Sequence, residues 1–208
     1  MNSYEGTVNR YFIRPSRACK LLFLKAFCLL FGFGCAATPA PPPEFAGGFE
    51  LTGKLSLTYG GKRDSVRFLW LQSPREDFSL EVWGPLGQGR VRLIGSAGEL
   101  AIVDAQGTTL SRGAPEAVMQ AHLGWVLPLF AFRHWVQGVP DPTRAARQEE
   151  RDAQGRRVAF RQWGWQVRYP RYREVPDDGE SRWLPALVTA EHADYEVRMA
   201  LSRWRITL

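Results

Sequence analysis

The sequence predicts a mainly β domain of the α+β class, in which a curved antiparallel sheet is covered by two or three central helices. Three observations carry this expectation. From Phe49 onward, apolar residues recur with period two, the spacing of a strand with one buried face. Gly- and Pro-containing turns separate the early strands with no helical pattern between them, which excludes a βαβ series. A single block between residues 115 and 140 switches to helical spacing before alternation returns.

The elements follow in order. Phe49, Leu51, Gly53, Leu55, Leu57 and Tyr59 alternate with mostly polar neighbours, and Gly60-Gly61 supplies a hairpin turn. Val66, Phe68 and Trp70 line one face of a second strand; Phe78, Leu80 and Val82 line a third. Val91 with Leu93, residues 100–103 and residues 108–112 give three more, divided by turn signals at Ser73-Pro74, Ala97-Gly98 and Gln106-Gly107. Pro115-Glu116 then opens a helix with Val118, Ala121 and Trp125 near one stripe and Gly124 as its stop. A second helix starts at Pro128, where Leu129, Phe132, Trp135 and Val136 recur at three and four; Gly138 and Pro140 end it. Residues 141–154 are polar and read as a long loop with one helical turn around 144–150. Strands return at 157–162, 164–169, 187–190 and 195–207, with a turn at Asp177-Asp178-Gly179. A sheet with an apolar concave face needs a cover, and the central helices are the only segments available.

Ahead of this domain, residues 1–34 read as a signal peptide. Basic residues precede an apolar run, Leu21 to Phe33, that is broken by Lys25 and is too short to span a bilayer, which takes about 20 apolar residues. Gly34 before Cys35 fits a lipoprotein peptidase, with Cys35 the acylated residue, although Gly32 stands where such boxes usually carry Leu. Ala36 follows, not the Asp that resembles an inner-membrane retention signal, which points to the outer membrane. Residues 35–48 then form a tether whose prolines favour extended polyproline II. The folded domain is residues 49–208.

Charge excludes one class of partner. The net charge is +6, but five of the 27 basic residues and one of the 21 acidic ones lie before residue 35. The remainder carries an excess of about two, a poor surface for phosphate backbones, so no nucleic-acid partner is expected. Cysteines occur only at 19, 28 and 35, so the folded part has no disulfide framework. His122, His134 and His192 are scattered, and no metal or other cofactor is expected. There is no G-x-S-x-G elbow, phosphate loop or dinucleotide fingerprint, and no catalytic residue can be named. The chemistry on offer is apolar contact. All eight Trp lie after residue 69, with Trp70, Trp83, Trp135, Trp163, Trp165 and Trp204 at strand or helix positions, as core or as cavity lining. One residue stands apart. Trp83-Gly84-Pro85-Leu86-Gly87-Gln88-Gly89 joins two strands, and Leu86 at a turn tip either folds back on the sheet or meets something apolar.

These residues, in this order, resemble the LolB family of outer-membrane lipoprotein receptors. The resemblance rests on Trp70-Leu71-Gln72, Trp83 to Gly87, Gly124 to Leu129 with Trp135, Gly138 and Pro140, and Gln162-Trp163-Gly164-Trp165 with Tyr169 and Tyr172; Leu184-Pro185 and Trp204 complete it. It covers the chain from about Phe49 to the C-terminus. It implies an incomplete antiparallel β-barrel, a half-barrel lidded by α-helices around a hydrophobic cavity. It implies a monomeric non-enzyme, lipid-anchored on the periplasmic face of the outer membrane. That protein would accept lipoprotein cargo from a LolA-like carrier and insert it into the membrane. The loop Pro85, Leu86, Gly87 would be the membrane-insertion element. Candidates for lining an acyl-chain cavity are Leu55, Leu57, Phe68, Trp70, Leu80, Val82, Phe132, Trp135 and Trp165, though alternation does not separate lining from core. A soluble LolA-like carrier and a structural or protein-binding envelope lipoprotein are the alternative readings.

Overall fold

Alternation beginning at Phe49 becomes the first of eleven described strands in a computed structural model that describes residues 48–177, 180–193 and 195–206. The strands are β1 (Phe49–Tyr59), β2 (Lys62–Gln72), β3 (Phe78–Trp83), β4 (Val91–Ser96), β5 (Glu99–Asp104), β6 (Thr109–Gly113), β7 (Arg147–Arg151), β8 (Arg157–Gln162), β9 (Trp165–Asp177), β10 (Glu180–His192) and β11 (Tyr195–Ile206). Helices α1 (Pro115–Leu123) and α2 (Leu129–Trp135) sit between β6 and β7 in the chain. The strands form one open antiparallel sheet in the order β6-β5-β4-β3-β2-β1-β11-β10-β9-β8-β7. The first half of the chain therefore meanders outward from the centre, and the second half meanders back from the opposite edge. Pairing of β1 with β11 joins the halves, Leu55 opposite Met199 and Leu57 opposite Val197. Because β6 and β7 are the two edges, the segment carrying α1 and α2 has to cross from one to the other.

The predicted apolar faces are the buried ones. Leu51, Leu55, Leu57, Phe68, Trp70, Phe78, Leu80 and Leu93 lie in one core cluster with Leu100 and Ile102. Close approach across this face needs glycine at Gly95: a Cβ there would sit 2.1 Å from the Phe78 ring, so the missing side chain lets the ring cover the neighbouring strand. In α2, Leu129, Phe132, Trp135 and Val136 are all buried, as the helical spacing predicts. The Tyr169 hydroxyl donates to the Trp135 carbonyl at 2.8 Å, satisfying one of the acceptors a helix end leaves open.

Four expectations need correction. The helical turn around 144–150 is instead β7, a strand on the sheet edge with all five residues exposed; RQEER has no apolar alternation, and charge is how edge strands resist further pairing. In α1 the buried residues are Val118 and Met119, while Ala121 is exposed and Trp125 half-buried. The helix lies against β5 and β6, which turns its contact side toward the first two turns. Trp163 is not in a strand. With Gly164 it forms the two-residue turn between β8 and β9, at φ 55° and 79°, the left-handed pair of a type I′ hairpin. Finally, the strands predicted at 164–169 and 187–190 extend to Trp165–Asp177 and Glu180–His192. Pro170, Pro176 and Pro185 hide the extra length, and irregular pairing around Pro185 and Leu187 accommodates it. The leader, Cys35 and the tether up to residue 47 lie outside the described residues, as do residues 178 and 179 of the predicted turn and residue 207 of the predicted last strand. Among the described residues, no helix is long and apolar enough to cross a membrane.

Candidate functional site

Strand direction gives the sheet two distinct ends. The β1–β2 hairpin and the β3–β4 loop lie at one end, called upper here; the β2–β3 turn and Gly48 lie at the other. The residues singled out for membrane contact are at the upper end. In the loop after β3, the Gly87 N–H donates to the Gly84 carbonyl at 2.9 Å, closing a β-turn with Pro85 at its second position. Gly84 N–H donates to the Gln88 carbonyl at 2.8 Å, and the Gln88 side chain turns inward to accept the Leu86 N–H at 3.0 Å. Gly87 takes φ 84°, a conformation that a side chain would strain. The loop is therefore braced by its own hydrogen bonds, and the brace leaves the Leu86 side chain 92% exposed. That settles the choice left open by the sequence: Leu86 does not fold back on the sheet. Pro85 and Gly87 beside it are exposed as well. Below the loop, Arg90 stacks over Trp83 at 4.6 Å and pairs with Glu81 at 2.9 Å, and Arg92 approaches the same carboxylate at 3.8 Å.

A cleft of about 450 Å³ with a mixed apolar and polar lining opens at the same end. Leu57 and Tyr59 of β1, Lys62 and Asp64 of β2, and Leu123 to Trp125 after α1 line it. Tyr59 stacks on Tyr195 at 4.5 Å, and Tyr195 approaches Trp165 at 6.3 Å, so an aromatic path leads inward. Of the nine residues named for a cavity, Leu57 borders this cleft. Leu55, Phe68, Trp70, Leu80, Phe132, Trp135 and Trp165 are buried in the core cluster, and Val82 is half-buried against it.

The lower end carries a second mixed cleft. A cleft of about 300 Å³ there combines Phe49, Leu184 and Trp204 with Gln72, Glu76, Arg133 and His134. Arg133, only 7% exposed, donates to Glu76 at 2.8 Å and through its Nε to His134 Nε2 at 3.0 Å. Burial and the adjacent Arg133 guanidinium lower the pKa of His134 below its usual 6.5, which suits a ring nitrogen that accepts a hydrogen bond.

Sequence reasoning missed the polar group that holds α2 in place. Buried Gln162 accepts from the Trp135 indole and the Asp141 N–H, both at 2.8 Å, and donates to the Asp141 carbonyl at 2.7 Å. Burial alone would raise the pKa of Asp141, but bonds from the Thr143 N–H and hydroxyl and the Trp163 indole outweigh it and hold the pKa below 3.8. Gln162 belongs to the Gln162-Trp163-Gly164-Trp165 run that carries the family resemblance, but nothing in that run shows what its side chain bonds. Gln88, between two glycines, carries no such signal either.

The sequence pattern of the family described as Outer membrane lipoprotein LolB matches residues 47–204, from just before β1 to near the end of β11. The chain belongs to the LolB family. An outer-membrane lipoprotein LolB of Chromohalobacter salexigens is 28% identical over 158 residues, 76% of this chain and 71% of that protein. One of Pseudomonas savastanoi pv. phaseolicola is 32% identical over 159 residues, 76% and 74% of the two chains. Among solved structures, a LolA superfamily protein from Nitrosomonas europaea is 10% identical with a TM-score of 0.48, covering 77% of this chain and 86% of that one. The LolB match includes the whole Leu86 loop, the upper cleft, the lower cleft apart from Ile206, and the Gln162 network. It places the chain among outer-membrane lipoproteins and not among enzymes.

Proposed function

We propose that this LolB-family protein is an outer-membrane lipoprotein receptor, anchored through acylated Cys35 on the periplasmic face. It takes lipoproteins from a LolA-like carrier, shelters their acyl chains in the half-barrel, and delivers them to the membrane as a monomer. The observation that carries this reading is Leu86: a leucine 92% exposed on a braced loop, at the same end of the sheet as the aromatic-edged cleft. Full burial of a leucine contributes about 1.5–3 kcal/mol, so a rigid loop that leaves one in water leaves that stabilisation for contact with something apolar.

Three features support a half-barrel with a helical lid. Flat, the sheet would put β3 and β9 five strand spacings apart, about 24 Å. Yet Phe130 of α2 meets Phe78 of β3 at 5.4 Å, and Phe132 meets Trp165 of β9 at 6.1 Å. A seven-residue helix is about 10 Å long, so a sheet that curls around it accounts for both contacts. The upper cleft, with Leu57, Tyr59 and Trp125 at its edge, would be the mouth, and its volume falls in the range of small-ligand sites. Buried Leu55, Phe68, Trp70, Leu80, Phe132, Trp135 and Trp165, with half-buried Val82, would line the deeper space once α2 shifts. An acyl chain gains about 0.8 kcal/mol per buried methylene, so a receiver has to offer apolar cover at every stage of transfer.

The test is delivery. A LolA-like carrier loaded with labelled lipoprotein is mixed with the mature chain and vesicles, and the label is followed into lipid. Movement that depends on this protein supports the receptor. A folded protein that leaves the label on the carrier would instead favour the structural or protein-binding lipoprotein, a reading that the closely packed aromatic core also fits.

A further inference from the structure

We propose that Lys62 and Asp64, on the rim of the upper cleft, read the headgroup of what enters: they hold the polar junction of an acylated cysteine and turn away anionic phospholipid. This selectivity rests on the receptor reading for its cargo; the placement of the two side chains comes from strand register.

The mixed lining of the upper cleft is ordered by height. Lys62 lies opposite Tyr59, and Asp64 opposite Leu57, in the pairing of β1 with β2. Residues directly opposite in an antiparallel pair share a face, and Leu57 belongs to the core cluster, so both charges stand on the concave side, where they line the cleft. Next down the same face of β2 come Val66, opposite Leu55, and then buried Phe68. The inward face of β2 thus changes from charged to apolar within two residues, about 7 Å.

Charge at a position that faces a core calls for a use. Lys62 and Asp64 are exposed, and neither side chain is hydrogen-bonded or ion-paired to another described residue. Inward charge also guards free strand edges, and β3 pairs with β2 only between Arg67 and Gln72, which leaves residues 62–66 open on that side. A guard needs only charge. A cation and an anion about 7 Å apart, each without a partner, suit a ligand that offers an acceptor to one and a donor to the other.

An N-acylated, S-glyceryl cysteine at the start of a peptide is such a ligand. Its ester and amide carbonyls accept from the Lys62 ammonium, its peptide N–H groups donate to the Asp64 carboxylate, and its chains lie toward Val66 and Phe68. The junction is uncharged, so neither rim group is opposed. A phospholipid brings similar chains and ester carbonyls but sets a phosphate at the same height, where Lys62 attracts it and Asp64 repels it. Phospholipid outnumbers cargo wherever delivery ends. A receiver without such a filter would fill with the lipid it delivers into.

The test uses the mature chain with Cys35→Ala, so that no acyl group of its own competes. The uncharged fluorophore N-phenyl-1-naphthylamine is bound first. It is then displaced by a triacylated cysteinyl peptide without charged side chains or, separately, by lysophosphatidylglycerol. The wild-type rim is expected to prefer the peptide. Asp64→Asn should weaken the peptide about three- to tenfold, as for a charge-assisted hydrogen bond lost at an exposed site, and tighten lysophosphatidylglycerol. Lys62→Met should weaken both, and fluorophore binding should be unchanged in either variant. Unaltered displacement by both lipids in Asp64→Asn, or a wild type that binds lysophosphatidylglycerol as well as the peptide, overturns the proposal. Variants that aggregate yet bind both lipids as before would show that the two charges only guard the edge, which overturns it too. A wild type that takes up neither fluorophore nor peptide removes the receptor reading along with it. If the headgroup dependence appears but cargo never passes from carrier to vesicles, the selectivity stands and the receptor reading falls.

Discussion

The two ends of the sheet solve the problem of an open apolar interior in opposite ways. At the lower end, Arg133, Glu76, His134 and Gln72 mix polar groups with Phe49 and Trp204; Arg133 is bonded to Glu76 and His134, and Gln72 to the Trp70 indole and the Ser73 and Asp77 carbonyls. At the upper end, Leu86 and Tyr59 are left exposed and the hydrogen bonds serve to hold the backbone that presents them. At the lower end the most exposed large apolar side chain, Trp183 at 52%, is capped by the Arg156 guanidinium at 5.0 Å. The other end is built as though its partner were absent, which is how an exposed apolar feature marks a contact site.

Substitutions can break or sharpen this contrast, and the largest effect on stability is expected where both ends are tied together. Trp135→Ala removes a fully buried ring and the indole that donates to Gln162, and should cost about 3–5 kcal/mol in urea unfolding. Loss below about 1 kcal/mol would mean α2 is only loosely docked. Acid should act next, through His134. Its lowered pKa means the folded state holds the neutral ring, so the unfolded state binds more protons just below pH 6.5. Stability is expected to be complete above pH 6.5 and to fall on acidification through that window; a His134→Gln variant should lack this part of the fall in Tm. Glu76→Gln should cost about 0.5 kcal/mol, because Glu76 is largely exposed and its ion pair with Arg133 is screened. The smallest effect on stability, within about 0.5 kcal/mol, is expected for Leu86→Glu. That variant should nevertheless lose cargo delivery in the vesicle assay. A Tm drop as large as that of a core variant would show that Leu86 supports the fold instead.

Much of this was legible in the sequence because one-sided burial imposes a period. Phe49 to Leu57, Phe68 with Trp70, and Leu129 to Val136 each show on paper the face they bury in the fold, whereas Tyr59, at the end of the first run, is exposed. What escaped detection lacks that period. β7 is entirely exposed and charged, so nothing in Arg147 to Arg151 alternates. β9 and β10 are interrupted by prolines that the sheet absorbs through irregular pairing, a device that depends on the neighbouring strand. At the site, Leu86 announced itself by being apolar in a turn, whereas Gln88 and Gln162 act through bonds to residues that only the fold brings near. Trp163 misled because an indole at positive φ is costly in isolation; here its N–H is bonded to Asp141 at 3.1 Å and Arg144 stacks on its ring at 4.9 Å.

The ladder between β1 and β11 also has a kinetic meaning. The first and last strands meet at the centre of the sheet, with Gly53 opposite Leu201. Bringing together positions about 150 residues apart costs roughly 4–5 kcal/mol in loop entropy. Topologies dominated by such distant pairings fold slowly. Strands β1 to β6 can pair by short hairpins in order of synthesis, but the two halves of the sheet are joined only when β11 pairs with β1. Loss of that strand would split the domain through its middle and not fray it from an edge.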